Sequence, residues 1–236
     1  MNKNPKISII TVAFNSVKTI QDTIESILLQ DYKNIEYIII DAGSSDGTVE
    51  IIKSFGDKIT YFISESDHGI YDGMNKGIKA ASGDLIGILN SDDFYPNNFI
   101  LSNVAKTFVN NQCDAVYGDL VYVKDYERNK IVRYWQAGDY SALKIKNGWM
   151  LPHPTFFVKK SVYDRFGLYN TELKSAADYE MILKLLYKQN ISVKYIPMIL
   201  VNMRMGGASN SSLINRIKAN KEDGLAWTKN QLNKPM

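Results

Sequence analysis

The sequence has few of the residues that build disulfides and histidine- or cysteine-based metal sites. Its 236 residues include one cysteine, Cys113, and two histidines, His68 and His153. A single cysteine excludes an internal disulfide framework and a cysteine-based zinc site. Two imidazoles are also too few for a histidine-rich metal centre. A metal ion in this protein must therefore be bound mainly by carboxylates.

Long apolar runs and glycine-rich phosphate-binding motifs are also missing. The longest clean apolar runs, such as Ile196–Val201, are far shorter than the ~20 residues that span a bilayer. The turn after the first predicted strand, Thr11–Ser16, contains no glycine. Neither G-x-G-x-x-G nor G-x-x-x-x-G-K-[ST] occurs, which argues against dinucleotide enzymes, glycine-rich methyltransferases and P-loop NTPases. No basic run with interleaved aromatics occurs, so we expect no nucleic-acid partner.

The net charge of +3 is divided unevenly along the chain. Residues 1–118 carry 9 lysines and no arginine against 15 acids, a balance of −6. Residues 119–236 carry 19 basic residues against 10 acids, a balance of +9. A basic half favours an acidic ligand or an anionic membrane surface, and a solvated basic face is the alternative.

Strand and helix patterns alternate through the first half of the chain. The β-branched runs predict strands at Ile7–Ala13, Ile35–Ile40, Ile59–Ile63 and Leu85–Leu89, and helical spacing predicts helices at 17–30, Thr48–Phe55, Ile70–Ala81 and Phe99–Val109. This βαβα order predicts a mostly parallel central sheet with helices on both faces, an α/β fold. The apolar start of the chain is interpreted as the first buried strand rather than as a signal peptide.

From about residue 114 the pattern is less regular. Strands are predicted at Ala115–Val123, Ile131–Trp135 and Val193–Asn202, with a polar turn at Lys124–Lys130, and helices at Ala176–Tyr187 and Ser211–Gln231. The segment Trp149–Val158 is mixed. We predict a single domain over residues 1–236, with a nucleotide-binding-type half over about 1–118 and an irregular α+β half over about 119–236.

Polar side chains follow every strand of the first half. They are Asn15, Asp41, Ser64–Asp67 and Asn90–Asp93. Ligands of parallel α/β sheets bind at the carboxyl ends of the strands, so these residues predict a binding edge. Asp92 and Asp93 offer oxygen ligands for Mg²⁺ or Mn²⁺, or else form a capped turn. Asp41 could accept from a ribose hydroxyl or a base N–H, or form an Asx turn.

Three residues of the second half are further candidates. Asp178 could be a general base, or an acid favoured by the helix dipole at its N-terminus. His153 lies between two prolines and could face a ligand or pack in its loop. Trp149 could stack on a sugar or base, although aromatic side chains are more often part of the core.

Several motifs together resemble one known family. The runs Ile9–Asn15, Ile40–Thr48, Asp67–Gly77 and Leu89–Asp93 are similar to those of family 2 glycosyltransferases with the GT-A fold. The resemblance is dense over residues 6–96 and continues thinly to about residue 210. It implies a nucleoside-diphosphate-sugar donor, a divalent metal (Mn²⁺ or Mg²⁺) and inverting transfer to a hydroxyl of a glycan or lipid-linked acceptor. It also implies surface polysaccharide biosynthesis in the cytoplasm, with a donor-binding half over about 1–118 and an acceptor-binding half with the C-terminal helix over about 119–236. The +9 balance of that second half predicts peripheral contact with the inner face of the cell membrane.

The resemblance also implies roles for individual residues. Donor-binding residues would be Thr11, Ala13, Asn15, Asp41, Asp67, Asn75, Lys76, Asn90 and Asp92; metal ligands would be Asp92 and Asp93; the catalytic base would be Asp178; and residues on the acceptor or phosphate side would be His153, Asp72 and Trp149. The chain departs from the family pattern at Asn90, the first position of the D-x-D motif, and at Ala177, where many members have glutamate. The absence of Q-x-x-R-W argues against a processive synthase.

Two other functions stay open from the sequence. A non-catalytic nucleotide-sugar or glycan-binding protein on the same fold is supported by Asn90 and Ala177. A nucleotidyltransferase that makes the nucleotide sugar usually has a glycine-rich signature after the first strand, where this chain has Phe14 and Asn15. Release of nucleoside diphosphate in the presence of donor and acceptor separates the first of these from a transferase.

Overall fold

A computed structural model describes residues 3–124, 130–206 and 222–233. Within these residues, eight strands form one sheet. They are β1 (Ile7–Ala13), β2 (Ile35–Asp41), β3 (Tyr61–Ser64), β4 (Leu85–Ile88), β5 (Ala115–Val123), β6 (Ile131–Trp135), β7 (Phe157–Lys159) and β8 (Val193–Arg204). The order across the sheet is β3-β2-β1-β4-β7-β5-β6, and β8 pairs with β5.

Strands β1 to β4 form the parallel part of the sheet. Strand β1 pairs in parallel with both β2 and β4, and β2 pairs in parallel with β3. In this register Ala13 lies beside Asp41, and Asp41 lies beside Ser64. The first three strands therefore end side by side, as the predicted binding edge requires. Antiparallel pairs of β7 with β4 and β5 join this part to the second half of the chain.

Helices cover both faces of the sheet. Their bounds are α1 (Ile20–Leu28), α2 (Thr48–Ser54), α3 (Ile70–Ala80), α4 (Ile100–Asn111), α5 (Ala142–Lys146), α6 (Lys160–Phe166), α7 (Ala177–Ile182) and α8 (residues 222–229). Successive side chains of a strand point to opposite faces. Accordingly, Ile10 packs with Met74 and Ile78 in one hydrophobic core, and Ile9 lies in the other. Burial on both faces explains why β1 is a continuous apolar run instead of an alternating one.

Helix α3 packs unusually close to β1. A Cβ atom at Gly77 would lie 2.4 Å from Cγ2 of Ile10, and one at Gly73 would lie 2.7 Å from Cγ1 of Val12. These glycines weaken the intrinsic preference for a helix, but they let its backbone approach the strand. Gly73 and Gly77 therefore allow α3 to pack closely against β1, next to the binding edge.

The second half differs from its predicted elements in several details. Helices α5 and α6 were not predicted, and a short 3₁₀ turn occupies His153–Thr155. The predicted helix at Ala176–Tyr187 is present as α7 followed by a π-helical segment, Leu183–Lys188. Of the long predicted C-terminal helix, residues 222–229 are helical and residues 211–221 lie outside the described residues. The predicted turn at Lys124–Lys130 also lies mostly outside them.

A buried carboxylate links β2 to β1 and to the start of β4. Glu36 accepts hydrogen bonds from Ser8 Oγ (2.6 Å), from the backbone N–H and hydroxyl of Ser82 (2.7 and 2.6 Å) and from Lys6 Nζ (2.9 Å). Burial alone would raise the pKa of Glu36, but the hydrogen bonds from Ser8, Ser82 and Lys6 outweigh it and lower this pKa to about 2. The ionised carboxylate therefore stabilises the fold.

Replacing Glu36 with glutamine is expected to lower the free energy of unfolding by about 2–3 kcal/mol near neutral pH. A group with a lowered pKa stabilises the protein above its unfolded pKa of 4.5, and this contribution is lost as the pH falls towards about 2. The difference between wild type and variant should therefore shrink over that window. Urea unfolding at several pH values measures it, with the exposed Glu50→Gln in α2 as control. A difference that does not depend on pH would contradict this account.

Candidate active site

The loops after β1 and β2 are joined by their own polar side chains. Asp41 is fully buried. Its carboxylate accepts from the Ser64 hydroxyl (2.6 Å), the Ser44 hydroxyl, and the backbone N–H groups of Gly43 (3.1 Å) and Ser44 (2.9 Å). Asn15 Oδ1 accepts from Ser45 N at 3.1 Å. Asp41 thus shapes the loop, and a direct contact with a nucleobase would have to replace one of these hydrogen bonds.

Two other predicted donor residues lie inside the sheet. Thr11 and Ala13 are fully buried in β1, and the Thr11 hydroxyl accepts from the Tyr37 hydroxyl at 3.2 Å. Ala13 ends β1 at the edge of the sheet, beside Asp41, but like Thr11 it has no exposed surface. The donor contacts predicted for these two residues stay predictions.

The loop after β4 holds one half-buried and one buried aspartate. Asp93 has no exposed surface, and its Oδ2 accepts from Asn90 Nδ2 at 3.1 Å. Its Oδ1 is buried without a hydrogen-bond partner among the described residues. Burial, and then the neighbouring charge of Asp92, raise the pKa of Asp93 well above its usual range. Asp92 is only half buried, so it is the acid of this pair that is placed to meet a ligand.

An arginine from the far end of the chain supports this loop. Arg204, at the end of β8, donates from Nη1 to the backbone oxygen of Asp92 at 2.6 Å and forms an ion pair with Asp22 of α1. Its guanidinium also lies over the Phe94 ring, 4.8 Å from the centroid. The sequence analysis missed Arg204. The available signal was compositional, because a first half with 15 acids and no arginine can receive a guanidinium only from the second half.

A second polar cluster lies between α3 and α7. The Tyr71 hydroxyl donates to Oδ1 of Asp178 at 3.0 Å, and Asp178 is half buried. Burial, and then the Asp178 charge, raise the pKa of Tyr71, so the phenol stays a neutral donor. In the structure this residue connects the predicted base to the donor half of the chain.

His153 lies in the protein interior close to this cluster. It is 7% exposed, and its Nε2 lies 2.8 Å from the Tyr169 hydroxyl. Burial lowers the pKa of His153, although the Asp178 charge acts in the opposite direction, so the neutral imidazole is favoured.

Asn75 binds the Tyr169 backbone at both ends of its amide. It donates to the Tyr169 oxygen and accepts from the Tyr169 N–H, both at 2.9 Å. Both ends of the Asn75 amide are therefore used, and this geometry does not support the predicted donor contact.

The remaining charged candidates lie in the loop before α3 and in the first turns of this helix. Asp67 Oδ1 accepts from Gly69 N at 2.8 Å, and its Oδ2 is buried without a hydrogen-bond partner among the described residues. Asp72 accepts from the backbone N–H of His68 at 3.2 Å. Lys76 pairs with Glu65 at 2.8 Å and with Asp72 at 3.5 Å. Lys76 therefore lies between two carboxylates, and its donor-binding role stays a prediction.

Trp149 is a packing residue. Its indole N–H donates to the backbone oxygen of Ala137 at 2.9 Å, and its ring meets Tyr117 edge-on, with centroids 6.0 Å apart. The indole packs against the core and its N–H is bonded, but the residue is only half buried, so its acceptor-side role stays a prediction.

The family of the chain follows from comparison with known proteins. A model of glycosyl transferase family 2 matches residues 8–167. The chain is a family 2 glycosyltransferase. A glycosyltransferase of Mycobacterium tuberculosis described as uncharacterized is 32% identical over 189 residues, 78% of this chain and 70% of the relative. A PGL/p-HBAD biosynthesis glycosyltransferase of Mycobacterium bovis is 26% identical over 213 residues, 88% of this chain and 80% of that protein.

Solved structures show the same fold at low sequence identity. TarS residues 1–349 of S. aureus superpose with a TM-score of 0.75 at 20% identity, over 97% of this glycosyltransferase and 67% of that chain. A mannosyltransferase of Pyrobaculum calidifontis, solved with GDP-Man and Mn²⁺, gives a TM-score of 0.69 at 16% identity, over 95% of this glycosyltransferase and 64% of the mannosyltransferase. The predicted GT-A-like fold is confirmed. The chain spans 43% of a longer TarS structure.

The acids of this glycosyltransferase fit a metal that binds together with its substrate. No group of three or more Asp, Glu, His or Cys that could hold a metal ion occurs in the described part of the chain. Mg²⁺ typically binds one or two carboxylates plus substrate phosphates. The Asp92 carboxylate is half buried, whereas the Asp93 carboxylate is enclosed by protein. Of the two predicted ligands, Asp92 is therefore the one whose metal role stays a prediction.

Within residues 3–124, 130–206 and 222–233, no helix of the glycosyltransferase has both the length and the apolar composition of a membrane-spanning helix.

Proposed function

We propose that this glycosyltransferase moves a sugar from a nucleoside-diphosphate-sugar to a hydroxyl of a glycan or lipid-linked acceptor, with inversion at the anomeric carbon. The observation that carries this proposal is the half-buried carboxylate of Asp178, held by the Tyr71 hydroxyl at 3.0 Å. Asp178 comes from the second half of the chain, and through Tyr71 it contacts α3, the helix that follows β3. A carboxylate in this place suits a base that works between donor and acceptor.

The chemistry requires one base and a means of stabilising the leaving group. An acceptor hydroxyl is a poor nucleophile until its proton is removed. Because Tyr71 donates to Oδ1 of Asp178, we assign proton acceptance to Oδ2. A single displacement with one base inverts the anomeric carbon. A divalent cation at Asp92, when bound with the donor, would neutralise charge on the departing diphosphate. Arg204 holds the backbone of this loop in place.

Donor chemistry is proposed from two structural neighbours. TarS has been solved in complex with UDP-GlcNAc, and the mannosyltransferase in complex with GDP-Man and Mn²⁺. Both are nucleoside-diphosphate-sugars, so we propose this class of donor for the present chain. A place in surface polysaccharide biosynthesis is part of the same proposal.

A thermal-shift screen tests the donor class. A ligand that binds only the native state raises its stability by RT ln(1 + [L]/Kd), about 2.7 kcal/mol at 100-fold excess over Kd. We expect one or a few UDP- or GDP-sugars to raise the melting temperature, and more so with Mn²⁺ than with EDTA. If no nucleotide sugar shifts the melting temperature under either condition, the proposal fails. A shift without any transfer would favour the non-catalytic binding protein.

Peripheral contact with anionic membranes is expected from the basic second half. Helix α5, which follows Ser141, exposes the side chains of Leu143, Lys144 and Lys146. Each basic residue near an anionic leaflet contributes ~1 kcal/mol. Replacing both lysines with glutamine should therefore weaken binding to phosphatidylserine vesicles by about 30-fold at low salt.

Vesicle co-sedimentation measures this effect. The same double change at Lys53 and Lys58, which are exposed in the acidic first half, is the matched control and should have a smaller effect. Absence of wild-type binding at low salt would contradict membrane contact. Binding that does not change with salt would contradict its electrostatic basis.

A further inference from the structure

The start of α7 is bonded to a carboxylate from the last described helix. Oε2 of Glu222 accepts from the backbone N–H groups of Lys174 (3.1 Å), Ser175 (2.7 Å) and Ala176 (3.1 Å), and from the Ser175 hydroxyl (2.9 Å). One side chain thus binds three consecutive N–H groups. These residues directly precede α7, the helix that carries Asp178 in its first turn.

Helix α7 lacks a capping side chain of its own. Its N-cap position is Ala176, and no side-chain hydrogen bond caps the helix there. The N–H groups bound by Glu222 belong to Lys174, Ser175 and Ala176, so this carboxylate fixes the N-cap residue and the two residues before it rather than the N–H groups of the helix proper. Burial raises the pKa of Glu222, but the hydrogen bonds from Ser175 and its neighbours lower it overall. Glu222 is therefore a charged acceptor at the positive end of the helix.

Further contacts hold α8 and the residue after it against α7. The Trp227 indole donates to the Tyr179 hydroxyl at 3.0 Å, and Asn230 Nδ2 donates to the Glu180 backbone oxygen at 3.1 Å. These contacts hold the later part of α7 against α8. Glu222 instead binds the residues just before the N-terminal end of α7, close to Asp178.

The opposite side of this segment is bonded to the loop and helix that follow β3. Tyr71 donates to Asp178, and Lys174 Nζ donates to the His68 backbone oxygen at 3.3 Å. We propose that Glu222 is a positioning residue for sugar transfer. It fixes the first turn of α7 so that the Asp178 carboxylate meets the Tyr71 hydroxyl. This inference rests on the proposed role of Asp178 as the base.

Removing the Glu222 carboxylate should slow turnover without weakening donor binding. A misplacement of about 1 Å at a reacting group can cost ~10²-fold in rate, so we expect Glu222→Ala to lower kcat by about 10- to 100-fold. Glu222→Gln keeps one acceptor oxygen and should show a smaller loss. Glu172→Gln is the matched control. It breaks the Glu172–Lys229 ion pair to the same helix but leaves the hydrogen bonds of Glu222 in place. Its turnover should stay near wild type.

A double-mutant cycle with Asp178→Asn decides the inference. If Glu222 acts through Asp178, Glu222→Ala should cost little further activity once Asp178 is already Asn. Equal losses in both backgrounds would overturn the inference and indicate a general structural role. If Glu222→Ala does not fold, Glu222→Gln carries the same comparison.

The outcomes also separate this inference from the proposed function. A folded Glu222→Ala protein with wild-type kcat, beside an inactive Asp178→Asn, overturns the positioning role alone. An Asp178→Asn protein that transfers sugar at the wild-type rate removes the base assignment, and the inference falls with it. An unchanged donor Kd with lowered kcat is the expected result, and a raised Kd with unchanged kcat contradicts it.

Discussion

Replacing Asp178 with asparagine is expected to lower sugar transfer by ~10²–10⁴-fold, the usual contribution of a positioned base. The carboxamide has nearly the shape of the carboxylate and can still accept the hydrogen bond from Tyr71, but it cannot take the acceptor's proton. Folding and donor affinity should therefore be preserved. Melting temperature, donor Kd and kcat measured on one preparation separate these effects.

The alternative for Asp178 predicts the opposite pattern. A charge that only interacts with a helix N-terminus is worth ~0.3–1 kcal/mol, which for a chain of this size lowers the melting temperature by a few degrees and leaves turnover intact. Glu180→Gln is a matched control on the same helix. Glu180 is buried beside Lys184, 3.4 Å away, so this variant should lose stability rather than rate. A folded Asp178→Asn protein with near wild-type transfer would end the assignment.

The second large effect concerns the loop after β4. Asp92→Asn should weaken nucleoside-diphosphate binding much more in Mn²⁺ than in EDTA, because the variant loses the only half-buried carboxylate of the Asn90–Asp93 loop. Losing one carboxylate ligand is expected to cost at least ~10-fold in metal-dependent affinity. Titration calorimetry or a thermal-shift titration with both Mn²⁺ and EDTA measures it. Equal weakening in the two conditions would contradict a metal role.

Asp93→Asn is the matched control for this experiment. Asp93 is enclosed by protein and its Oδ2 accepts from Asn90, so an amide of the same shape should keep the difference between Mn²⁺ and EDTA. If Asp93→Asn abolishes that difference and Asp92→Asn does not, the two residues have the opposite roles to those argued here.

The parallel half of the fold could be predicted because its signals are local. The run Ile7–Ala13 is buried on both faces, and such strands are recognisable as continuous β-branched segments. Their polar ends were predicted for the same reason. In the second half α5 has only 5 residues, too few for helical periodicity to be recognised. Helix α6 has 7 residues, as many as the predicted α2, but it begins directly after the 3 residues of β7, with no turn residues to mark either element.

The site was predicted less completely because it depends on contacts between distant residues. The sequence shows that Asn75 is polar, but not that its amide is used by Tyr169, 94 positions away. Likewise, adjacent aspartates look equivalent in the sequence, whereas packing buries Asp93 and leaves Asp92 half buried. The roles of Tyr71 and Glu222 depend on their pairing with α7, and no motif contains both partners.

Release of nucleoside diphosphate, measured with and without acceptor, tests the central claim most directly. The donor is the nucleotide sugar that gives the largest thermal shift, and the acceptors are a panel of oligosaccharides and polyprenyl-linked sugars. The account predicts release that depends on acceptor, falls ~10²–10⁴-fold in Asp178→Asn, and yields a product whose anomeric configuration is opposite to that of the donor. Release that is unchanged in Asp178→Asn, or a product with retained configuration, would contradict it.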